Sequence, residues 1–379
     1  MRKDWEYKKL GEVAISDLGK TLNKSKDTGT LYPYLCAINI LWDKIDLSTL
    51  KETRFEDDEL ERYTVKYGDL LVCEGGDTGR AAIWDKQETM LYQNALHRIR
   101  LNNEINSRFL LYYLWQLKLN GEIDAKYSKG VTIKHLVKSS LMSIPTPLPP
   151  KPTQLAIVAE LDKINELIQL KKQQLKDYDQ LAQSIFYEMF GDPVENEKGW
   201  EVKKLGEVTI YPNERISIED IQSNQYIGVE NLLKNKAGVS FSNQLPNATS
   251  AIYFSFNDIL LGNIRPYLKK IWLSDTIGGA SGDVIVIRIS SNKVLPMYLF
   301  KLLSTDTFFD YDNLNTKGAK MPRGDKKVIA KFPVPLPPLP LQQQFAARIE
   351  AIEWQKQQVS ETIKDLETLL ASRMQYWFD

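Results

Sequence analysis

The chain has 379 residues, enough for two or three domains with cores of their own, and its hydrophobic share of 43% is that of an ordinary soluble protein. No apolar run approaches the roughly 18 residues of a membrane span, and no apolar stretch follows the basic start, so a cytoplasmic protein with no membrane partner is expected. Lys plus Arg and Asp plus Glu both number 49, so any phosphate-binding face requires charge segregated on the surface or cations supplied by a partner.

In chain order, the first distinctive segment is WEYKKLGEV, from Trp5 to Val13. Strand-like runs follow, DLLVC from Asp69 to Cys73 and HRIRL from His97 to Leu101, then a helical stretch, FLLYYLWQL, from Phe109 to Leu117. Cys36 and Cys73 lie in strand-like surroundings without C-x-x-C spacing and read as packing residues, so no metal site is expected. The proline cluster IPTPLPPKPTQ, from Ile144 to Gln154, reads as a stiff, non-helical stop. From Thr153 to Phe190, apolar residues recur at heptad spacing: Ile157, Leu161, Ile164 and Ile168, then Leu175, Tyr178, Ala182, Ile185 and Met189.

The order then repeats. Residues Trp200 to Val208 read WEVKKLGEV, eight of nine identical to the first copy at an offset of 195. Strand-like DILL (Asp258 to Leu261) and DVIVIRI (Asp283 to Ile289) and helical YLFKLLS (Tyr298 to Ser304) follow. FPVPLPPLPLQ, from Phe332 to Gln342, matches the first proline cluster at an offset of 188, which also aligns Ile83-Trp84 with Ile271-Trp272 and Lys129-Gly130 with Lys317-Gly318. A second heptad stripe runs from Leu341 to Phe378 through Phe345, Ile349, Ile352, Val359, Ile363, Leu366, Leu370 and Trp377, with Lys356 and Arg373 as exceptions. A helix of this length spans about 57 Å, and so narrow a stripe is best buried against a similar one. The two helices either pair antiparallel or dock separately, each on its own domain. The boundaries are therefore 1–150 and 193–338 for the globular domains, 151–192 and 339–379 for the helices. Each copy keeps its frame and changes its interior, as expected of two readers of different targets on one scaffold.

Two variable domains alternating with two helices, each helix announced by a P-x-P-L-P-P-x-P-x-Q run, resemble the specificity subunit of type I restriction-modification systems over the full chain. Gly68 to Leu71 (GDLL) and Asn257 to Leu260 (NDIL) are similar to the family's G-D-I-L strand, with Asn257 replacing the usual glycine. The resemblance implies a mixed α+β fold: two α/β target recognition domains related by a pseudo-two-fold axis, joined by two long antiparallel helices forming a coiled coil. It implies a non-catalytic DNA-binding subunit in which each domain reads half of a bipartite site. It also implies two modification subunits and two restriction subunits as partners, with S-adenosylmethionine, ATP and Mg on those partners and no cofactor in this chain. A gap of about six base pairs between half-sites matches the geometry of one helical turn.

Base readout needs donors and acceptors on loops that reach a groove, and phosphate contact needs cations and free amides. In the first domain the candidates are Lys24, Lys26, Arg80, Gln93, Asn94 and the Lys129 to Lys134 loop with Thr132. In the second they are Asn263, Arg265, Tyr267, Lys269, Lys270, Ser281 and the Lys317 to Arg323 loop with Lys320 and Arg323. Any single cation here is as readily plain solvated surface; a glycine beside basic residues in both copies strengthens the Lys-Gly loops. Phe186, Phe190, Tyr376, Trp377 and Phe378 exceed what a two-stranded seam buries and are candidates for partner contact, or else for packing against the domains.

Enzyme signatures are absent. Gly19-Lys20-Thr21 lacks the upstream glycine of a phosphate loop, where Ala14 stands, and neither glycine cluster fits G-x-G-x-x-G. With only His97 and His135 there is no H-E-x-x-H, and no catalytic residue is assigned. The alternatives are a self-contained methyltransferase or nuclease, and a coiled-coil scaffold that binds proteins.

Overall fold

The computed structural model describes residues 4–23, 27–131, 134–316, 318 and 321–379. It comprises two units, Met1–Lys172 with Glu361–Asp379, and Gln173–Ser360.

The globular part of each unit opens on its Trp motif, which forms a short strand and a single helical turn. These are Glu6–Lys9 and Leu10–Val13 in the first unit, Glu201–Lys204 and Leu205–Val208 in the second. The turn buries Leu10 and Val13, or Leu205 and Val208. The proline cluster corrects the sequence reading: it is the strand partner of the Trp motif. Pro145–Leu148 runs antiparallel to Glu6–Lys9, with Pro147 opposite Tyr7, and Pro333–Leu336 pairs with Glu201–Lys204 in the same way. In a two-stranded sheet every strand is an edge, and prolines at alternate positions turn their missing N–H groups away from the partner. Pro152 and Pro340 then fall in the first turns of the long helices, where no intrahelical N–H is required. This is why those helices begin at Lys151 and Leu339, earlier than the heptads indicate.

The glutamine closing each proline run is a lock. Gln154 is buried; its Oε1 accepts from the Asn106 amide at 2.8 Å, and its Nε2 donates to the carbonyls of Glu104 (3.0 Å) and Pro149 (2.9 Å). Gln342 makes the same three bonds, with the Leu295 amide and the carbonyls of Lys293 and Pro337, all at 2.8 Å.

The domains are mixed α/β, as the sequence indicates. A central sheet orders Ala14–Leu18, Leu96–Leu101, Leu70–Cys73 and Ala81–Ile83, matched by Thr209–Ile210, Val284–Ile289, Ile259–Gly262 and Ile271–Leu273. A second four-stranded sheet in each unit contains one parallel pair, with Leu91 opposite Tyr34 and Tyr226 opposite Gly279. Helices Ser107–Leu119 and Pro296–Leu303 complete the layers. In the G-D-I-L strands the aspartate is a brace: Asp69 takes Arg100 at 2.8 Å, and Asp258 takes Arg288 at 2.8 Å. Asn257 keeps the turn intact, taking φ 65° where Gly68 takes φ 86°, because asparagine tolerates the left-handed region.

Strand register corrects one alignment. Ile83 lies opposite Leu70, and Leu273 lies opposite Ile259, so the counterpart of Ile83 is Leu273 and not Ile271. The Ile-Trp identity is a coincidence shifted by two residues.

The long helices, Lys151–Phe190 and Leu339–Phe378, contribute one segment each to both units. In the first unit Glu160 pairs with Arg373, and Lys172 with Glu367 at 2.7 Å; the partner's number falls as the first rises, so the segments are antiparallel. In the second, Asp179 pairs with Lys356 at 2.7 Å while Phe186 meets the Phe345 ring at 5.7 Å, again antiparallel. Each pair also packs on its own domain, through Phe378 on Phe109 and Phe186 on Tyr298. Near the C-terminus the buried line runs through Leu370, Met374 and Phe378, whereas the heptads place Arg373 and Trp377 there. A straight helix of 3.6 residues per turn drifts off a 3.5 repeat.

Candidate nucleic-acid interface

In the second unit three loops meet at one end of the central sheet. The hairpin after Ile259–Gly262 carries Asn263 to Lys270; Asn263 donates its amide to the Asp283 carbonyl at 2.9 Å, and Arg265 donates to the Pro322 carbonyl at 2.7 Å. Arg265 stands at φ 54°, ψ 65°, immediately before Pro266, and Lys269 repeats the left-handed turn at φ 50°. Such positions cost on the order of 1–3 kcal/mol each and persist where neighbouring contacts over-determine them. The strain lifts Arg265 into solvent, where its guanidinium makes no hydrogen bond or ion pair among the described residues.

Cations gather beside it. Lys269 and Lys236 both reach the Asp306 carboxylate, at 2.8 and 3.1 Å, and the Lys236 amide donates to the Lys269 carbonyl at 2.8 Å. These bonds, Lys269 first, hold the Asp306 carboxyl below the ordinary carboxylate range. Burial, and then the nearby Lys234, pull Lys270 below the ordinary lysine range. Lys234 and Lys236 escaped the sequence reading because they stand more than 25 residues before the hairpin; only the fold adds them to the patch. One acid serves two of these lysines, so the edge is basic although the whole chain is neutral.

The first unit builds the same edge with different chemistry. Its hairpin, Glu74 to Arg80, is tied down by acids: Asp77 takes Lys118 at 3.0 Å, and Asp124 takes Lys118 at 3.0 Å and the Thr78 hydroxyl at 2.9 Å. Gly130 at φ 105° and Gly318 at φ 97° take similar positive φ in the two Lys-Gly loops, a region that glycine enters without steric cost.

The structure separates the candidates. Arg80 is a brace: it donates to the Ala37 carbonyl at 2.8 Å and lies 3.6 Å from Asp77. Its counterpart is Lys270, since Cys73 donates its amide to the Arg80 carbonyl to close the hairpin as Gly262 does to the Lys270 carbonyl; Arg265 has no equivalent there. Lys134 donates to the Asp124 carbonyl at 2.9 Å, and Asn94 to the Thr21 hydroxyl at 3.2 Å. Arg323 pairs with Asp283 at 3.0 Å. Gln93, Lys129 and Tyr267 keep their side-chain polar groups free among the described residues. Asn263 turns its Oδ1 inward, where it has no partner. Lys24, Lys26, Thr132 and Lys320 lie outside the described residues.

Three of the five partner-contact candidates are core residues, as the alternative of packing against the domains has it. Phe186 and Phe190 are buried against Tyr298 and Phe345, and Phe378 against Phe109 and Tyr113. Trp377 is half-buried, its Nε1 donating to Glu160 at 3.1 Å, while Tyr376 is exposed. The exposed aliphatic and tryptophan side chains of the long helices are instead Leu155, Leu167, Leu170, Leu181, Leu339, Trp354 and Leu369. No group of three His, Cys, Asp or Glu side chains able to hold a metal ion occurs among the described residues, and no described helix is long and apolar enough to cross a membrane.

Fold and loop edges together define a duplicated chain that mounts two variable, polar loop clusters on two copies of one frame. The chain belongs to the family of the type I restriction modification DNA specificity domain, which it matches over residues 2–177 and 197–367. It is similar to the type I restriction enzyme EcoDI specificity subunit of Escherichia coli, 22% identical over 92% of this chain and 81% of that protein. It is also similar to the type I restriction enzyme MjaVIII specificity subunit of Methanocaldococcus jannaschii, 24% identical over 97% of this chain and 92% of that protein. Two solved structures share the fold. One is the type I restriction-modification system S subunit of M. genitalium, with TM-score 0.51 and 15% identity over 98% of this chain and 95% of that one. The other, from work on complex assembly and conformational transition of the type I system, has TM-score 0.56 and 17% identity over 100% and 98%.

Proposed function

We propose that this chain is the DNA-reading subunit of a type I restriction-modification complex, each unit reading one half of a split duplex site and the chain itself performing no chemistry. The observation that carries this reading is Arg265: a solvent-exposed guanidinium, unpaired among the described residues, held in a strained conformation beside lysines of its own hairpin and of the Lys234–Lys236 turn. A planar fork of five donors suits the guanine edge, and lysines around it suit the flanking phosphates. The lock at Gln154 and Gln342 joins each domain to a long helix, so the helices are the natural spacers between half-sites. Modification subunits dock on the exposed apolar side chains of those helices and restriction subunits join them; S-adenosylmethionine, ATP and Mg belong to these partners. The family membership and the solved relative from an assembly study support this arrangement.

The test is selection from a random duplex pool by the chain assembled with its modification subunit, followed by titration of the recovered sequence across salt. A two-part consensus with a fixed gap is expected, bound far more tightly than unrelated duplex at the same salt. Recovery of no consensus, or turnover of DNA by the purified chain alone, would remove the reading.

A further inference from the structure

We infer that two matched positions, Gln93 with His135 in the first unit and Ser281 with Arg323 in the second, set the different base preferences of the two halves. The inference rests on the proposed reading and says which side chains distinguish one half-site from the other.

The argument starts from the backbone. Gln93 donates its amide to the Leu35 carbonyl at 2.9 Å and accepts from Leu96 at 3.0 Å; Ser281 donates to Ile227 at 3.0 Å and accepts from Val284 at 3.1 Å. Beside them Glu74 donates to Ala95, and Asn263 to Asp283, each at 2.9 Å. The third loop closes alike, Leu136 donating to Glu74 at 2.7 Å and Gly324 to Asn263 at 3.2 Å, with lone bridges joining Gly75 to His135 and Ile264 to Arg323. Each of these bonds has its counterpart in the other unit, so these positions correspond by structure. The offset of 188 already aligns Gln93 with Ser281 and His135 with Arg323, although QNALHRI and SGDVIVI share only the final isoleucine over this stretch.

A frame that holds its backbone and varies its side chains at fixed points is what a reader of exchangeable targets needs. Gln93 presents an amide acceptor and donor, matched to the adenine edge, and leaves both unpaired among the described residues. Ser281 at the same point is short and tolerant of either base, its hydroxyl accepting from the Asp283 amide at 3.3 Å. Arg323, its side chain 50% exposed, shows one face to Asp283 and keeps donors for a guanine; His135, 48% exposed, faces Glu74 at 3.4 Å. Because the ring and guanidinium are half in solvent, exchanging them leaves both cores untouched.

The experiment repeats the duplex selection with four single variants assembled with the modification subunit: Gln93→Ser, His135→Arg, Ser281→Gln and Arg323→His. Gln93→Ser is expected to lose roughly tenfold discrimination for adenine at one position of the first half-site, and His135→Arg to create a guanine preference in that half only. The reciprocal pair should alter the second half only. If Gln93→Ser fails to fold, His135→Arg carries the first-unit test on its own. Should the unaltered chain select a two-part site and all four variants select the same one, the assignment is overturned while the DNA-reading role stands. If the unaltered chain selects no sequence, both are overturned.

Discussion

The guanidinium of Arg80 donates to the carbonyl oxygen of Ala37 at 2.8 Å, closing the hairpin of the first unit onto the turn after Thr30–Leu35. Lys270 makes the equivalent bond to Val229 at 2.6 Å. Two cations that look in sequence like phosphate ligands therefore hold the reading edge in shape. Arg80→Met is expected to lower stability by roughly 1–3 kcal/mol, by leaving a carbonyl without its charged donor. Thermal unfolding would read this. A salt slope of DNA binding that falls by a full ion, with the melting temperature unchanged, would return Arg80 to the contact surface.

Arg265 and Lys269 should behave differently from Arg80 and from each other. Lys269→Ala is expected to weaken binding to every duplex and reduce the salt slope by about one, with Lys236 left to pair Asp306. Arg265→Ala should instead relax one base position by roughly 1–3 kcal/mol. Titration against the selected site and an unrelated duplex at several salt concentrations separates the two; no change in either variant removes this hairpin from the interface.

Asp312 is 2% exposed, its Oδ1 has no partner, and burial pushes its carboxyl up to about 6. A side chain at Gly324 would meet that oxygen at 2.7 Å and the unpartnered Oδ1 of Asn263 at 3.1 Å. Because the folded value lies above the ordinary 3.8, the proton contributes stability that is fully present below about 3.8 and lost as pH rises through about 6. Asp312→Asn supplies a permanent donor and no charge. Its melting temperature should exceed that of the unaltered chain at pH 7.5, with the gap closing towards pH 4. A gap independent of pH contradicts the assignment.

Replacing Gln342 by Leu removes three hydrogen bonds at a buried position and leaves the Leu295 amide without its acceptor. A loss of roughly 2 kcal/mol or more is expected, and the same for Gln154→Leu. Proteolysis at the junction of domain and long helix should accelerate in both variants; unchanged rates would show the lock to be dispensable.

Removing Tyr376 to Asp379 takes away Phe378, which packs on Phe109 and Tyr113 inside the first unit. The first unit is expected to lose roughly 3–5 kcal/mol, the range for deleting a buried phenylalanine. Tyr376→Ala, at an exposed residue, should leave the melt unchanged. Loss of modification-subunit capture by Tyr376→Ala with a normal melt would assign this end to the partner surface.

Much was readable in one dimension because some signals are local or repeated. Duplication shows directly in the paired Trp and proline motifs, and helix length in the heptads, whose apolar spacing also gives the buried face except near the C-terminus. Other features depend on where distant segments meet. The proline run reads as a stop by composition, yet it becomes a strand because the Trp motif, more than 130 residues away, offers its carbonyl edge. Phe186 and Phe378 look surplus to a two-stranded seam until a domain closes over them. Whether a cation braces or binds is decided by the carbonyl or carboxylate the fold brings to it, which separates Arg80 from Arg265 although both follow equivalent strands. Local spacing determined the repeat and the helices; three-dimensional proximity decided the reading edge, because hydrogen bonds and ion pairs act over a few ångströms whatever the separation along the chain.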